Sequence, residues 1–265
     1  MPDIVDKVRA GVSERADLPG MSLIQHLEEL RRRIVHSLAY IAVAFCVAYW
    51  QHERIYGFMQ APIVNALRKH HLDTQLVYHN PIDAFNLYLK ISFVGGVILA
   101  SPFVLYQVWL FISPGLYQHE KRYVVPFMTA TVGLFLAGAW FGYHYVFAGA
   151  LDFLLGYGSQ FKPLIEINEY TNLFQTVILG LGIVFELPIL VFFLALFGIV
   201  SANFMWRNIR YAILIIFIIA AIITPTPDVL SMCVFASPML VLYVISIGVA
   251  YMVHPTRRKR LKEAG

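Results

Sequence analysis

Long apolar runs, separated by short polar connections, repeat along almost the whole chain. We predict that six of them are membrane-spanning helices, because each approaches the ~20 apolar residues needed to cross a bilayer. The fifth is short: only 13 residues, from Tyr211 to Ile223, are free of charge. Either Arg210 extends its side chain to the membrane surface, or the bilayer is thinner there. The predicted spans are residues 33–50, 86–112, 123–149, 172–198, 208–223 and 229–251.

Two segments outside these spans also have helical apolar patterns. In "SLIQHLEELRRRIV", residues 22–35, the leucines and an isoleucine recur every three or four positions, which predicts an amphipathic helix that runs straight into the first span. The connection after the first span has a similar pattern, with Pro62 expected to start or kink the helix. We expect this second segment to lie on the membrane surface as a cap.

The composition agrees with an all-α integral membrane protein. Hydrophobic residues make up 59% of the 265 residues, charged residues only 14%, and the mean hydropathy is +0.67. There is no room for a separate soluble domain, so we divide the chain into an N-terminal cytoplasmic extension (1–21), one membrane domain (22–251) and a basic cytoplasmic tail (252–265). Residues 1–20 lack the apolar stretch of a cleaved secretory signal, so the first span should remain as an anchor.

The basic residues predict the orientation. With the N-terminus inside, the cytoplasmic segments hold 15 of the 20 Lys and Arg residues, which satisfies the positive-inside rule. We therefore expect six spans with both termini in the cytoplasm. The tail sequence "RRKR" would touch anionic membrane lipid, and we do not predict nucleic-acid binding.

Glutamates stand out in three places. Glu28 and Glu29 form i,i+4 pairs with Arg32 and Arg33, and spacing alone favours a solvated helix with pairs worth ~0.2 to 0.5 kcal/mol each. Glu120 follows "FISPG" in the first turn of the third span, where the helix dipole favours a negative charge.

Glu186, in "GIVFELPIL", is the only one of 16 acidic residues deep inside a span. An intramembrane carboxylate is costly, so it marks a substrate, partner or proton site, and Pro188 beside it predicts a polar kink.

Several chemistries lack their residues. There is no G-x-x-x-x-G-K-[ST] phosphate loop, no G-x-S-x-G elbow and no H-E-x-x-H pair. Cys46 and Cys233 stand alone in apolar runs, without the spacing of a metal site. We predict no catalytic residues, no metal and no cofactor, and therefore not an enzyme.

Several motifs together resemble the TatC family, the multi-span subunit of the twin-arginine protein translocase. They are "HLEELRRRI", "ASPFVLYQVWLFISPGLYQHEKR", "FGYHYVF", "GIVFELPIL" and "ITPTPD", in this order over roughly residues 22–251. The resemblance implies six helices that form a concave, cupped wall, with short fifth and sixth helices. It also implies a cytoplasmic face that recognises signal peptides with consecutive arginines on folded cargo.

The resemblance assigns roles to individual residues. Glu29 and Glu120 match the two glutamates that bind the paired arginines, and a carboxylate can accept a forked guanidinium that lysine cannot imitate. The remaining assignments are Phe111 and Leu116 beside the signal peptide, Gln107 as a polar contact, Arg31 in the entry region, Glu186 in the cavity and partner contacts, Pro62 and Tyr143 on the concave face, and Thr224 of "ITPTPD" in the same partner and cavity set.

Two positions depart from the family pattern. Met232 stands where a glutamine used in partner docking is usual, and Val244 stands where an acidic residue is common.

The sequence therefore predicts the receptor and core subunit of a translocase in the cytoplasmic (inner) membrane, driven by the proton-motive force. Its expected partners are twin-arginine signal peptides, single-span subunits of the TatA and TatB type, other copies of itself and membrane lipid. Two alternatives stay open at this point. One is a small-solute secondary transporter with Glu186 as its ion site, and the other is an intramembrane enzyme acting on lipid.

Overall fold

The computed structural model describes residues 23–112, 124–158, 160–224 and 229–263. The predicted extension, residues 1–21, lies outside this part of the chain. The described residues are almost entirely helical, as the sequence predicts. They form α1 (Leu23–Trp50), α2 (His52–Lys69), α3 (Ile82–Ile112), α4 (Val124–Phe141), a π-helix (Gly142–Phe147), α5 (Ala148–Tyr157), α6 (Ile167–Val184), α7 (Leu187–Leu196), α8 (Ala202–Arg207), α9 (Ile209–Ile223) and α10 (Val229–Glu263).

The first helix, α1, is continuous over 28 residues, which confirms that the amphipathic segment runs into the first span without a break. It packs along α3, and the contact is close at Gly96. A Cβ atom on Gly96 would lie 2.9 Å from the backbone N and Cα of Phe45, so only glycine allows this approach. The opposite side of α1 carries exposed residues such as Leu38 and Val43, as expected of a lipid-facing helix.

The cap helix, α2, lies over the end of the bundle that is opposite to Glu29. We call these two ends the cap end and the Glu29 end. Met59, Ile63 and Leu67 of α2 are at most 2% exposed, because they pack against Phe147 and other residues of the main core. Pro62 was expected either to start or to kink this helix, and it does not start it, because it lies inside the helix.

Two tyrosines tie α2 to the spans below it. Pro62 has no N–H, so the carbonyl of Phe58, one turn earlier, lacks its helical partner. Tyr143, in the π-helix, donates a hydrogen bond of 2.7 Å from its hydroxyl to that carbonyl. Tyr170 of α6 donates a second hydrogen bond, of 2.5 Å, to the carbonyl of Met59.

We expect Tyr170→Phe to destabilise the protein by ~0.5 to 1.5 kcal/mol, because its buried hydrogen bond to Met59 would be lost without replacement. Tyr143→Phe is the matched control, since it removes an equivalent hydroxyl at an exposed contact where water can take its place. The midpoint of thermal unfolding in detergent should fall more for Tyr170→Phe. An equal or larger fall for Tyr143→Phe would contradict this account.

The third and fourth spans are both interrupted. In the third, α4 passes through the π-helix into α5. In the fourth, α6 ends at Val184 and α7 begins at Leu187, so the break falls on Phe185 and Glu186. The helix is thus interrupted at the place where a kink was predicted beside Pro188, and this proline occupies the first turn of α7, where a missing N–H does no harm.

Within the described residues, five helical stretches are long and apolar enough to cross a membrane, and the apolar helix Ile209–Ile222 is shorter. The fifth predicted span is thus short, as expected: α9 has 15 residues. The prediction of a short sixth helix is wrong, because α10 has 35 residues, of which Met232–Met252 form the apolar stretch. Six spans and a cupped wall remain predictions.

Candidate functional site

A partly buried ion pair lies at the Glu29 end, between α1 and α3. Glu29 and Arg33 are one helical turn apart, and the Arg33 Nη2 atom lies 3.0 Å from the Glu29 Oε1 atom. The Arg33 Nη1 atom donates a second hydrogen bond, of 3.3 Å, to the Oε1 atom of Gln107. The side chains of Glu29 and Arg33 are only 9% and 20% exposed, and Gln107 is buried.

The prediction of a solvated ion pair, which the spacing favours, is therefore wrong for Glu29 and Arg33. In the packed structure α3 covers this face of α1, whereas Glu28, Arg31 and Arg32 are exposed. Arg33 is the arginine that neutralises the Glu29 carboxylate, and Gln107 of the neighbouring helix accepts a second hydrogen bond from it. For Gln107, the structure shows a hydrogen bond to Arg33, and Arg31 lies on the solvent side of the helix.

The pair is not fully satisfied. Among the described residues, the Glu29 Oε2 and Arg33 Nε atoms are buried without a hydrogen-bond partner. A buried polar atom left in this state costs ~1 to 3 kcal/mol. The ion pair therefore carries one hydrogen-bond acceptor, Glu29 Oε2, and one donor, Arg33 Nε, that have no partner among the described residues.

An aromatic contact lies beside the ion pair. The rings of His26 and Phe111 stack with their centroids 4.4 Å apart and their planes at 20°. Phe111 is half-buried at the end of α3, and His26 lies three residues before Glu29, on the same side of α1. His26 was not among the residues predicted from the sequence, although its i,i+3 spacing from Glu29 could have indicated it. Glu120 and Leu116 lie outside the described residues.

Glu186 lies at the break between α6 and α7. Its backbone still belongs to the turn, because its N–H donates to the carbonyl of Ile183 and its own carbonyl accepts from Leu190. The residue is half-buried, and its Oε1 atom is among the buried side-chain atoms without a partner in the described part of the chain. A carboxyl group in the middle of a span is thus available for a further contact.

The other predicted partner and cavity residues lie in two places. Pro62 and Tyr143 are brought together and line a cleft of about 610 Å³ at the cap end. Thr224 is buried at the end of α9, where its hydroxyl donates a hydrogen bond of 2.9 Å to the carbonyl of Ala220. Of the departing positions, Met232 is half-buried and Val244 is exposed.

The cleft also contains a charged group that the sequence analysis missed. Asp152 of α5 lies 2.7 Å from the Lys69 Nζ atom and 2.9 Å from the His70 Nε2 atom, at the end of the cap helix. The contact joins residues 82 and 83 positions apart. Only the folded arrangement brings them together, so no local pattern could have indicated it.

Comparison with known proteins gives a consistent result. Residues 25–238 match the family model described as Sec-independent protein translocase protein (TatC). The TatC protein of Koribacter versatilis is 62% identical over 263 residues, which cover 99% of this chain and 97% of that protein. The TatC protein of Aquifex aeolicus is 35% identical over 243 residues, covering 91% and 98%.

Solved structures agree with the sequence relatives. A crystal structure of the twin-arginine translocase receptor TatC is similar, with a TM-score of 0.77 and 34% identity over 85% of this chain and 97% of that one. A second crystal structure of the receptor, in the detergent DDM, has a TM-score of 0.78 and 33% identity, with coverages of 85% and 99%. These matches favour a translocase subunit over the solute transporter and the lipid enzyme. Because the family model matches most of this chain, the chain belongs to the TatC family and is a core subunit of the Sec-independent protein translocase, not an enzyme.

Proposed function

We propose that this chain is the signal-peptide receptor of the translocase and that Glu29 and Glu120 bind the paired arginines of the signal. The observation that carries the proposal is the partly buried carboxylate of Glu29, whose buried Oε2 atom has no partner among the described residues. Glu120 enters from the sequence match alone. Phe111 and Leu116 would form the apolar wall beside the arginines, with Gln107 and Arg31 close to the entry.

A carboxylate suits this ligand for a physical reason. Guanidinium presents paired N–H donors in a plane, so it can satisfy both oxygens of a carboxylate, whereas an ammonium is a point charge. Each hydrogen bond to a charged group contributes ~1.5 to 3 kcal/mol. Two carboxylates would therefore read two consecutive arginines with useful selectivity and without a deep pocket.

The charge pattern supports a cytoplasmic position for this site. With both termini inside, the 15 of 20 basic residues in cytoplasmic segments follow the positive-inside rule, and the Glu29 end faces the cytoplasm. We propose that the protein lies in the cytoplasmic (inner) membrane with this orientation and carries folded cargo outward at the expense of the proton-motive force.

Single-span subunits of the TatA and TatB type are the proposed partners. The short helix α9 offers them an apolar surface, because Leu214, Ile218 and Ile222 are 51% to 77% exposed. A helix of 15 residues is ~22 Å long, less than the ~30 Å hydrocarbon core. A thinner bilayer at this position would favour neighbours with short spans.

Photo-crosslinking of a twin-arginine signal peptide to membranes that contain the protein tests the receptor function. We expect the native peptide to crosslink and a twin-lysine peptide to crosslink weakly. Glu29→Ala combined with Glu120→Ala should reduce crosslinking to the level of membranes without the protein, because both guanidinium partners are removed.

Glu28→Ala is the matched control for this experiment, since Glu28 is an exposed neighbour of Glu29. Its crosslinking should equal that of the unmodified protein. Normal crosslinking of the double variant, or equal crosslinking of the arginine and lysine peptides to the unmodified protein, would disprove the assignment.

A further inference from the structure

We propose that Arg33 is an internal competitor for the signal's arginine and thereby a specificity-determining residue. This inference rests on the proposed function of Glu29. In the structure, Arg33 already occupies the Oε1 atom of Glu29 at 3.0 Å, which is the position that a bound guanidinium would need. Binding is then an exchange, in which an incoming arginine replaces Arg33 on the carboxylate.

The geometry describes a closed site rather than an open one. The Glu29 side chain is only 9% exposed, and its second oxygen, Oε2, is buried without a partner among the described residues. A ligand therefore cannot bind by simple addition. It has to move Arg33 away, and it gains most if it satisfies both oxygens, of which Arg33 satisfies one.

Gln107 makes this exchange possible. Its Oε1 atom accepts a hydrogen bond of 3.3 Å from the Arg33 Nη1 atom, so Arg33 has a second anchor on α3. When the Nη2 atom leaves Glu29, the guanidinium keeps one of its two contacts. The buried Nε atom of Arg33, which has no partner in the described part of the chain, gains access to water in the same movement.

The competition adds to the selectivity for arginine that the two carboxylates supply. The guanidinium of a ligand arginine can replace Arg33 on Glu29 and donate hydrogen bonds to both carboxylate oxygens. A ligand lysine offers a single point charge, so it would displace an arginine and still leave one oxygen without a donor. An internal arginine thus penalises lysine more than it penalises arginine.

The test compares the two peptides on Arg33→Gln. Twin-arginine and twin-lysine signal peptides carrying the same photoreactive residue are titrated against membranes that contain the full chain, and half-maximal crosslinking concentrations are compared. We expect the preference for arginine over lysine to fall about tenfold in Arg33→Gln, mainly because the lysine peptide binds more tightly. Arg33→Lys, a weaker competitor, should give an intermediate preference.

Arg32→Gln is the matched control, because Arg32 is the adjacent arginine on the exposed face of α1. It should keep the preference of the unmodified protein. Gln107→Leu removes the second contact of Arg33 without touching Glu29. It should raise the preference, because Arg33 then gives up its one remaining side-chain contact in the described part of the chain when it leaves the carboxylate. This second variant keeps the proposal testable if Arg33→Gln does not fold.

An unchanged preference in folded Arg33→Gln, or equal loss of both peptides, would overturn the competitor role and make Arg33 a structural support. An unchanged or lowered preference in Gln107→Leu would overturn the role assigned to Gln107. Failure of the proposed function looks different, because the unmodified protein would then bind both peptides equally or Glu29→Ala would bind normally.

Discussion

Glu186→Ala is expected to abolish export of a twin-arginine cargo while crosslinking of the signal peptide stays at the level of the unmodified protein. The two functions should separate because Glu186 lies at the break in the fourth span, whereas the proposed signal site lies at Glu29 on α1. The half-buried carboxyl group of Glu186 has a buried oxygen without a partner in the described part of the chain, which costs free energy inside a span and so points to a contact made during transport.

Export is measured as the fraction of a reporter cargo that becomes resistant to added protease in membrane vesicles, and binding is measured in the same vesicles. Glu186→Gln is the informative partner variant, since it keeps the size and hydrogen-bonding ability of the side chain and removes only its ability to ionise. Export by Glu186→Gln would assign the role to hydrogen bonding, and its loss would assign it to the carboxyl group. Loss of peptide binding as the first defect of Glu186→Ala would contradict the division of roles.

Gly138→Ala is expected to lower the free energy of unfolding by ~1 to 3 kcal/mol, the usual effect of overpacking a tight contact. A Cβ atom on Gly138 would lie 2.6 Å from the carbonyl oxygen of Leu181 and 2.7 Å from the ring of Phe185. The oxygen belongs to the backbone of α6 and accepts a hydrogen bond from Phe185, so it cannot move without opening the last turn before Glu186.

Gly133→Ala, in the same helix α4, is the matched control. Its added Cβ would meet nothing within 4 Å, and alanine favours a helix over glycine by up to ~1 kcal/mol. The thermal midpoint in detergent should therefore fall for Gly138→Ala and stay level or rise for Gly133→Ala. A similar fall in both variants would mean that helix propensity or detergent effects, and not the contact with α6, are responsible.

The helix break at Glu186 shows how far local sequence can reach in this protein. A charged residue followed two positions later by proline, inside an apolar run, has few local solutions, and a break with the proline in the first turn of the next helix is the favourable one. The same holds for the continuous α1, because its apolar positions keep helical spacing from residue 23 onward.

The cap helix was predicted less completely. Its apolar face was visible in the sequence, but Pro62 lies inside the helix and not at its start. The reason is tertiary, since Tyr143 donates to the Phe58 carbonyl that Pro62 leaves free. A hydroxyl 85 positions away along the chain satisfies a carbonyl that the local sequence leaves without a helical partner.

At the candidate site, the sequence pointed to the right residue but not to its exposure. A family resemblance was enough to point to Glu29, but spacing favoured a solvated pair, and the structure has a partly buried one. Burial depends on which face of α1 meets α3, and Gln107, the residue that holds Arg33, is 74 positions away. Such contacts are set by packing between helices and leave no trace in local periodicity.

By itself, the amino-acid sequence determined the helical membrane architecture, the short fifth helix, the break at Glu186 and the family, because these depend on local hydrophobicity, proline and contiguous motifs. Only the tertiary structure decided that Arg33 occupies Glu29, that Tyr143 completes the cap at Pro62, and that Asp152 joins Lys69 and His70. Each of these is a contact between side chains or backbone groups whose energy depends on mutual distance and on the exclusion of water, and helix packing alone sets both.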